Sequence, residues 1–90
     1  MAHYETAPRQ VVEARYVGDY RVWLQFDDRR RGLVDLADEL HGELFRPQRD
    51  REQFARLYLD CPLATIAWEH GADFASDFLY KSWLPCTDRP

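Results

Sequence analysis

Thr65-Ile66-Ala67-Trp68-Glu69-His70-Gly71-Ala72-Asp73-Phe74 is the stretch in which a strand pattern, a forced turn and a concentration of polar side chains coincide. Its first half reads as a strand, with Ile66 and Trp68 on one face and Thr65 and Ala67 on the other. Gly71 then supplies the positive φ that other residues avoid, so the chain turns there. Asp73 is within reach of the turn's backbone donors and is expected to accept from them. Trp68, Gly71 and Asp73 are thus the structural residues of the turn.

Working back from this stretch, Tyr58-Leu59 leads into a fourth strand, Cys61-Pro62 interrupts it, and residues 63–68 form a fifth. Pro62 cannot donate a ladder hydrogen bond and belongs in the connection or at an edge. Further back lies the cleanest alternation in the chain. Tyr20, Val22, Leu24 and Phe26 interleave with Arg21, Trp23, Gln25 and Asp27, the signature of a half-buried strand. Trp23 falls on the polar side, either covered by another element or left as an apolar contact point. A strand over residues 10–17 precedes it, with Val12, Ala14 and Tyr16 on one face and Gly18-Asp19 as the hairpin turn. Residues 31–36 follow as a third strand with Val34 and Leu36 inward, so the three strands form an antiparallel meander.

Short helices fill the remainder. Asp35 caps the first, with Leu40 buried and Gly42 closing it. Leu44 and Phe45 return to the core. Asp50 and Gln53 have the spacing of a capping pair that opens a helix carrying Phe54 and Leu57. Ser76 is the expected N-cap of the last helix, with Asp77 in its first turn and Phe78, Leu79 and Trp83 on its apolar side. The chain therefore reads as α+β, a curved antiparallel sheet of an N-terminal meander plus C-terminal strands, with two or three short helices. Residues 1–9 form a lead-in, residues 10–83 a single domain, and residues 84–90 a flexible tail.

Composition bounds the function. Ninety residues hold one domain and one modest core, and a hydrophobic fraction of 46% excludes a disordered chain. The net charge of -4 makes nucleic acid a poor partner, since phosphate binding needs a surplus of basic groups. The start of the chain has no basic segment followed by an apolar run, and no stretch is long enough to span a bilayer, so the expected location is the cytoplasm. Cys61 and Cys86 have no companion spacing and read as structural or incidental thiols. The basic residues are almost all Arg, with Lys81 the single lysine and Asn absent, a bias of GC-rich bacterial coding sequences.

The order of motifs resembles the small bacterial family known as domain of unknown function 2442. The resemblance covers about residues 10–80. It rests on Val22-Trp23-Leu24-Gln25-Phe26, Asp27-Asp28, Val34-Asp35-Leu36, the segment Trp68-Glu69-His70-Gly71-Ala72-Asp73 in place of the family's Trp-Pro-Asn-Gly-Ala-Asp, and Phe78-Leu79-Tyr80 near the end. Glu69 and His70 replace the family's Pro and Asn, and the usual Asp-Gly after Phe26 becomes Asp28-Arg29. The resemblance implies an α+β domain with a curved antiparallel sheet. It implies no settled activity, although some relatives are fused to a helix-turn-helix domain and others resemble the partner gene of toxin-antitoxin-like pairs.

Three function classes are weighed. The first is a non-enzymatic protein-binding module, antitoxin-like or regulatory, whose sheet face or edge contacts another protein or a second copy of the chain. Its contact residues are Trp23, Asp27, Asp28 and the basic strip Arg46, Arg49, Arg51 and Arg56, because aromatic residues and Arg dominate interfaces. A close variant is an inhibitor borne by a phage or mobile element, in which Asp27, Asp28, Asp38, Glu39 and Glu43 cover a basic site. The second class is a small metal-dependent enzyme using Glu69, His70 and Asp73, with Asp77 nearby, which stand close enough in sequence to converge. The third is a nucleic-acid contact through Arg29-Arg30-Arg31. The first is the leading expectation, without cofactor or metal.

Overall fold

The computed structural model describes residues 10–85. The expected lead-in over residues 1–9, most of the expected tail and Cys86 lie outside them. Strands β1 (Val11–Gly18), β2 (Arg21–Phe26) and β3 (Arg31–Asp35) form the antiparallel meander. The two-residue strand β6 (Leu84–Pro85) adds to β3, giving the order β1-β2-β3-β6. Strands β4 (Tyr58–Asp60) and β5 (Thr65–Ala67) form a separate antiparallel pair. Two helices accompany them, α1 (Arg51–Phe54) and α2 (Ser76–Ser82), with single 3₁₀ turns at Ala37–Glu39 and Pro47–Arg49. The chain is α+β, and the larger sheet is open.

The alternation in β2 does what its period requires. Val22, Leu24 and Phe26 are buried in one core with Val11, Val34, Leu36, Phe54, Ile66, Trp68 and Leu79. Asp50 caps α1 as expected, its carboxylate accepting from the Glu52 amide at 2.8 Å. Asp35 accepts from the Ala37 amide at 3.0 Å, opening the first 3₁₀ turn.

Five expectations are corrected. Val12 is 48% exposed while Val11 is buried, because a bulge opposes Val11 to Phe26 and Glu13 to Gln25, leaving Val12 extra. Trp23, between Arg15 and Leu33 of the neighbouring strands, is fully buried, which agrees with the covered alternative and removes it as an apolar contact point. Leu44 is exposed, and only Phe45 packs inward, stacked on Phe74 with centroids 4.7 Å apart. The residue preceding α2 is Ala75, whose extended backbone occupies the cap position, so Ser76 is already helical. Leu84 and Pro85 belong to the sheet, not to a free tail, and Leu33 opposes Leu84 while Gly32 opposes Pro85.

Candidate functional site

The Thr65–Phe74 stretch folds into a hairpin. The Trp68 amide donates to the Ala72 carbonyl at 2.9 Å, the Gly71 amide to the Trp68 carbonyl at 3.0 Å, and Ala67 bridges Asp73. Gly71 adopts φ of +103°, the left-handed region that its lack of a Cβ permits. All four residues Thr65, Ile66, Ala67 and Trp68 are buried, so both faces of β5 are covered. The Thr65 hydroxyl donates to the Phe74 carbonyl at 2.6 Å. Trp68 anchors the base of the turn: its indole N–H donates to the Phe54 carbonyl at 3.0 Å, and its ring meets Phe45, Phe54 and Phe74.

Above Trp68 the turn forms one wall of a cleft of about 710 Å³, lined by Gln53, Arg56, Tyr58, Trp68, Glu69 and His70. The opposite wall comes from the end of α1 and the start of β4. The register of the small sheet, Tyr58 against Ala67, is what brings Tyr58 beside Trp68. His70 is fixed by a bond from its Nε2 to the Leu44 carbonyl at 3.0 Å. Arg56 and Glu69 are exposed, and neither side chain takes part in an ion pair among the described residues. The cleft thus presents one cation, one anion, an imidazole, an amide and a phenol around an aromatic floor. Its size suits a small ligand or a segment of chain.

Asp73 does not join Glu69 and His70. It lines two other concavities, one at the start of α2 together with Asp77 and one beside Phe45 and Phe78. The expected hydrogen bonds from turn amides to its carboxylate are not formed; its backbone makes the bridge instead. Among the described residues no three of His, Cys, Asp and Glu gather where a metal ion would fit.

The expected contact residues separate. Trp23 is closed off from solvent and has no face to offer a partner. Asp28 is a structural group: its Oδ2 accepts from the Tyr80 hydroxyl at 2.6 Å and its Oδ1 from the Arg30 amide at 3.0 Å. Asp27 is exposed beside it, its amide donating to the Gln10 carbonyl. The basic strip is divided as well. Arg46 pairs with Glu43 at 3.5 Å and Arg51 with Asp19 at 3.6 Å. Arg49 bonds the Leu40 carbonyl through Nε at 2.6 Å, while its own carbonyl accepts from the Tyr20 hydroxyl. Arg56 alone of the four lines the cleft. In the triple-arginine run, Arg30 is paired with Asp28 at 3.6 Å and Arg31 is half-buried.

Sequence reasoning gave Gln53 only a capping role and Tyr58 only a place at the start of a strand, and assigned neither to a site. Both are exposed polar side chains on elements whose apolar residues drew attention, and only the long-range pairing of β4 with β5 brings them to the turn. Residues 11–85 match the sequence profile of a family described as "Protein of unknown function (DUF2442)". Comparison with curated proteins and with solved structures returns no match. No helix among the described residues is long and apolar enough to cross a membrane.

Proposed function

We propose, from the premise that the chain belongs to this family of unknown function, that it is a non-enzymatic protein-binding module, an antitoxin-like or regulatory partner in a bacterial or mobile-element gene module. The observation that carries the reading is the pair Arg56 and Glu69. They face one cleft with opposite charges and leave each other unpaired, so both are available to a second molecule. Exposed Tyr58, which lines the same cleft, adds a large amphipathic contact of the kind that dominates interfaces. The metal-enzyme alternative draws no support from the separation of Asp73 from Glu69 and His70. The nucleic-acid alternative draws none from an Arg29–Arg31 run in which Arg30 is already paired.

The test is capture of a tagged chain from cells expressing it with its neighbouring genes, after cross-linking. One stoichiometric protein partner, with recovery reduced at least tenfold by an Arg56→Ala/Glu69→Ala double variant, supports the reading. No partner after exhaustive cross-linking, or undiminished recovery with the double variant, overturns it.

A further inference from the structure

A second concavity, of about 300 Å³, lies beside the hairpin and is lined by Glu39, His41, Phe45, Asp73, Phe74 and Phe78 together with Ala75. Its apolar wall is a ladder of near-parallel rings. Phe45 and Phe74 stack at 4.7 Å and 19°, and Phe74 and Phe78 at 5.7 Å and 19°. Phe74 is almost closed off, whereas Phe45 and Phe78 are half-buried and keep part of their surface open. The polar wall holds two carboxylates, Glu39 and Asp73. Neither side chain has an ion pair or a hydrogen bond among the described residues.

Ring faces not covered within the stack carry the negative side of the aromatic quadrupole, and carboxylates carry full negative charge. Both attract a cation, but the rings also require a flat apolar body to cover them. A guanidinium meets both demands, since it is planar, weakly hydrated, stacks on aromatic faces and bonds carboxylates in a fork. An ammonium is more strongly hydrated and answers only the first. The volume is at the low end for ligand pockets and matches one long side chain better than a free metabolite. Anionic lipid or nucleic acid would be repelled by Glu39 and Asp73.

We infer that this concavity is a docking site for an arginine side chain of a partner protein. The inference rests on the protein-binding reading and names the chemistry of the partner's contact. The site adjoins the cleft, because His70 of the cleft bonds the Leu44 carbonyl next to Phe45. A partner seated across both surfaces would place its arginine here while its other groups meet Arg56 and Glu69.

The experiment uses the whole chain and the blocked peptide acetyl-Gly-Arg-Gly-amide, followed by NMR of the phenylalanine rings, with the lysine and glutamate peptides beside it. The arginine peptide is expected to shift the Phe45 and Phe78 ring signals, the lysine peptide less and the glutamate peptide not at all. The side chains of exposed Asp73 and partly exposed Glu39 hold no bonds among the described residues, so the Glu39→Gln/Asp73→Asn variant keeps the wild-type fold and weakens arginine binding at least threefold, roughly the scale of exposed charge pairs. Unmoved rings, or equal shifts in that variant, overturn the site. A chain that captures a partner yet ignores the peptide keeps the binding module and loses this site; one that binds the peptide but captures no partner does the reverse. Self-association dispersed by the peptide would make a second copy the source of the arginine and overturn the separate partner.

Discussion

Gly32 backs directly onto Leu84: a Cβ at position 32 would stand 2.2 Å from the Leu84 carbonyl oxygen and 2.4 Å from Cε3 of Trp83. The obstacle is backbone as well as ring, so it cannot swing aside. Gly32→Ala is expected to destabilise the fold by about 1–3 kcal/mol, the range for overpacking. Strand β6 should detach at the same time. Urea unfolding gives the first quantity, and loss of amide protection at Leu84 reports the second.

Arg29 holds φ of +73° in the β2–β3 turn, where its amide donates to the Phe26 carbonyl. A side chain in that region costs about 1–2 kcal/mol. Arg29→Gly removes the strain but loosens the unfolded chain, offsetting about half of the gain. A net stabilisation of about 0.5–1 kcal/mol is expected in thermal or urea melts.

Trp23 is a stability residue. Removing a fully buried ring of this size by Trp23→Ala costs about 3–5 kcal/mol. In a domain of this size that is enough to unfold a large share of the molecules, which circular dichroism will show. Trp23→Phe should cost less than Trp23→Ala and leave partner capture intact. Loss of capture by a folded Trp23→Phe variant would return Trp23 to the contact surface.

Gln48 is 1% exposed, and its side-chain oxygen has no hydrogen-bond partner among the described residues. An unsatisfied buried acceptor weakens a fold, whereas an apolar group of the same shape does not. Gln48→Met is therefore expected to leave stability unchanged or raise it by up to about 1 kcal/mol in urea titration.

Arg49 and Arg56 look alike in the sequence but should behave differently. Arg49→Ala deletes the bond to the Leu40 carbonyl and is expected to lower stability by about 1 kcal/mol. Arg56→Ala removes an exposed, unpaired side chain and should change stability by less than about 0.5 kcal/mol. Capture assays should reverse the order, with Arg56→Ala the more damaging.

The parts of the fold that follow a local rule were legible. Val22, Leu24 and Phe26 obey a period of two, Asp50 is a cap by spacing, and Gly71 turns because it has no Cβ. What escaped depends on a second strand or a distant element. The bulge at Val12 is a property of its pairing with β2, and the burial of Trp23 depends on what packs over the sheet. The sheet position of Leu84 required a gap opposite Gly32 that no local pattern reveals. The candidate site was legible in pieces: Arg56 stood out as part of a basic strip and Glu69 and His70 as polar turn residues, yet nothing local joins residues on α1 to residues on the hairpin.

The irregular pairing of β1 has a wider consequence. This strand lies on the rim of the larger sheet, yet both Val12 and Val17 interrupt its register, and the Val11 amide is already taken by the Ala64 carbonyl at 2.9 Å. A rim so kinked offers no long straight row of amides on which a foreign strand can grow, which blunts fibril formation in a concentrated solution of the folded chain.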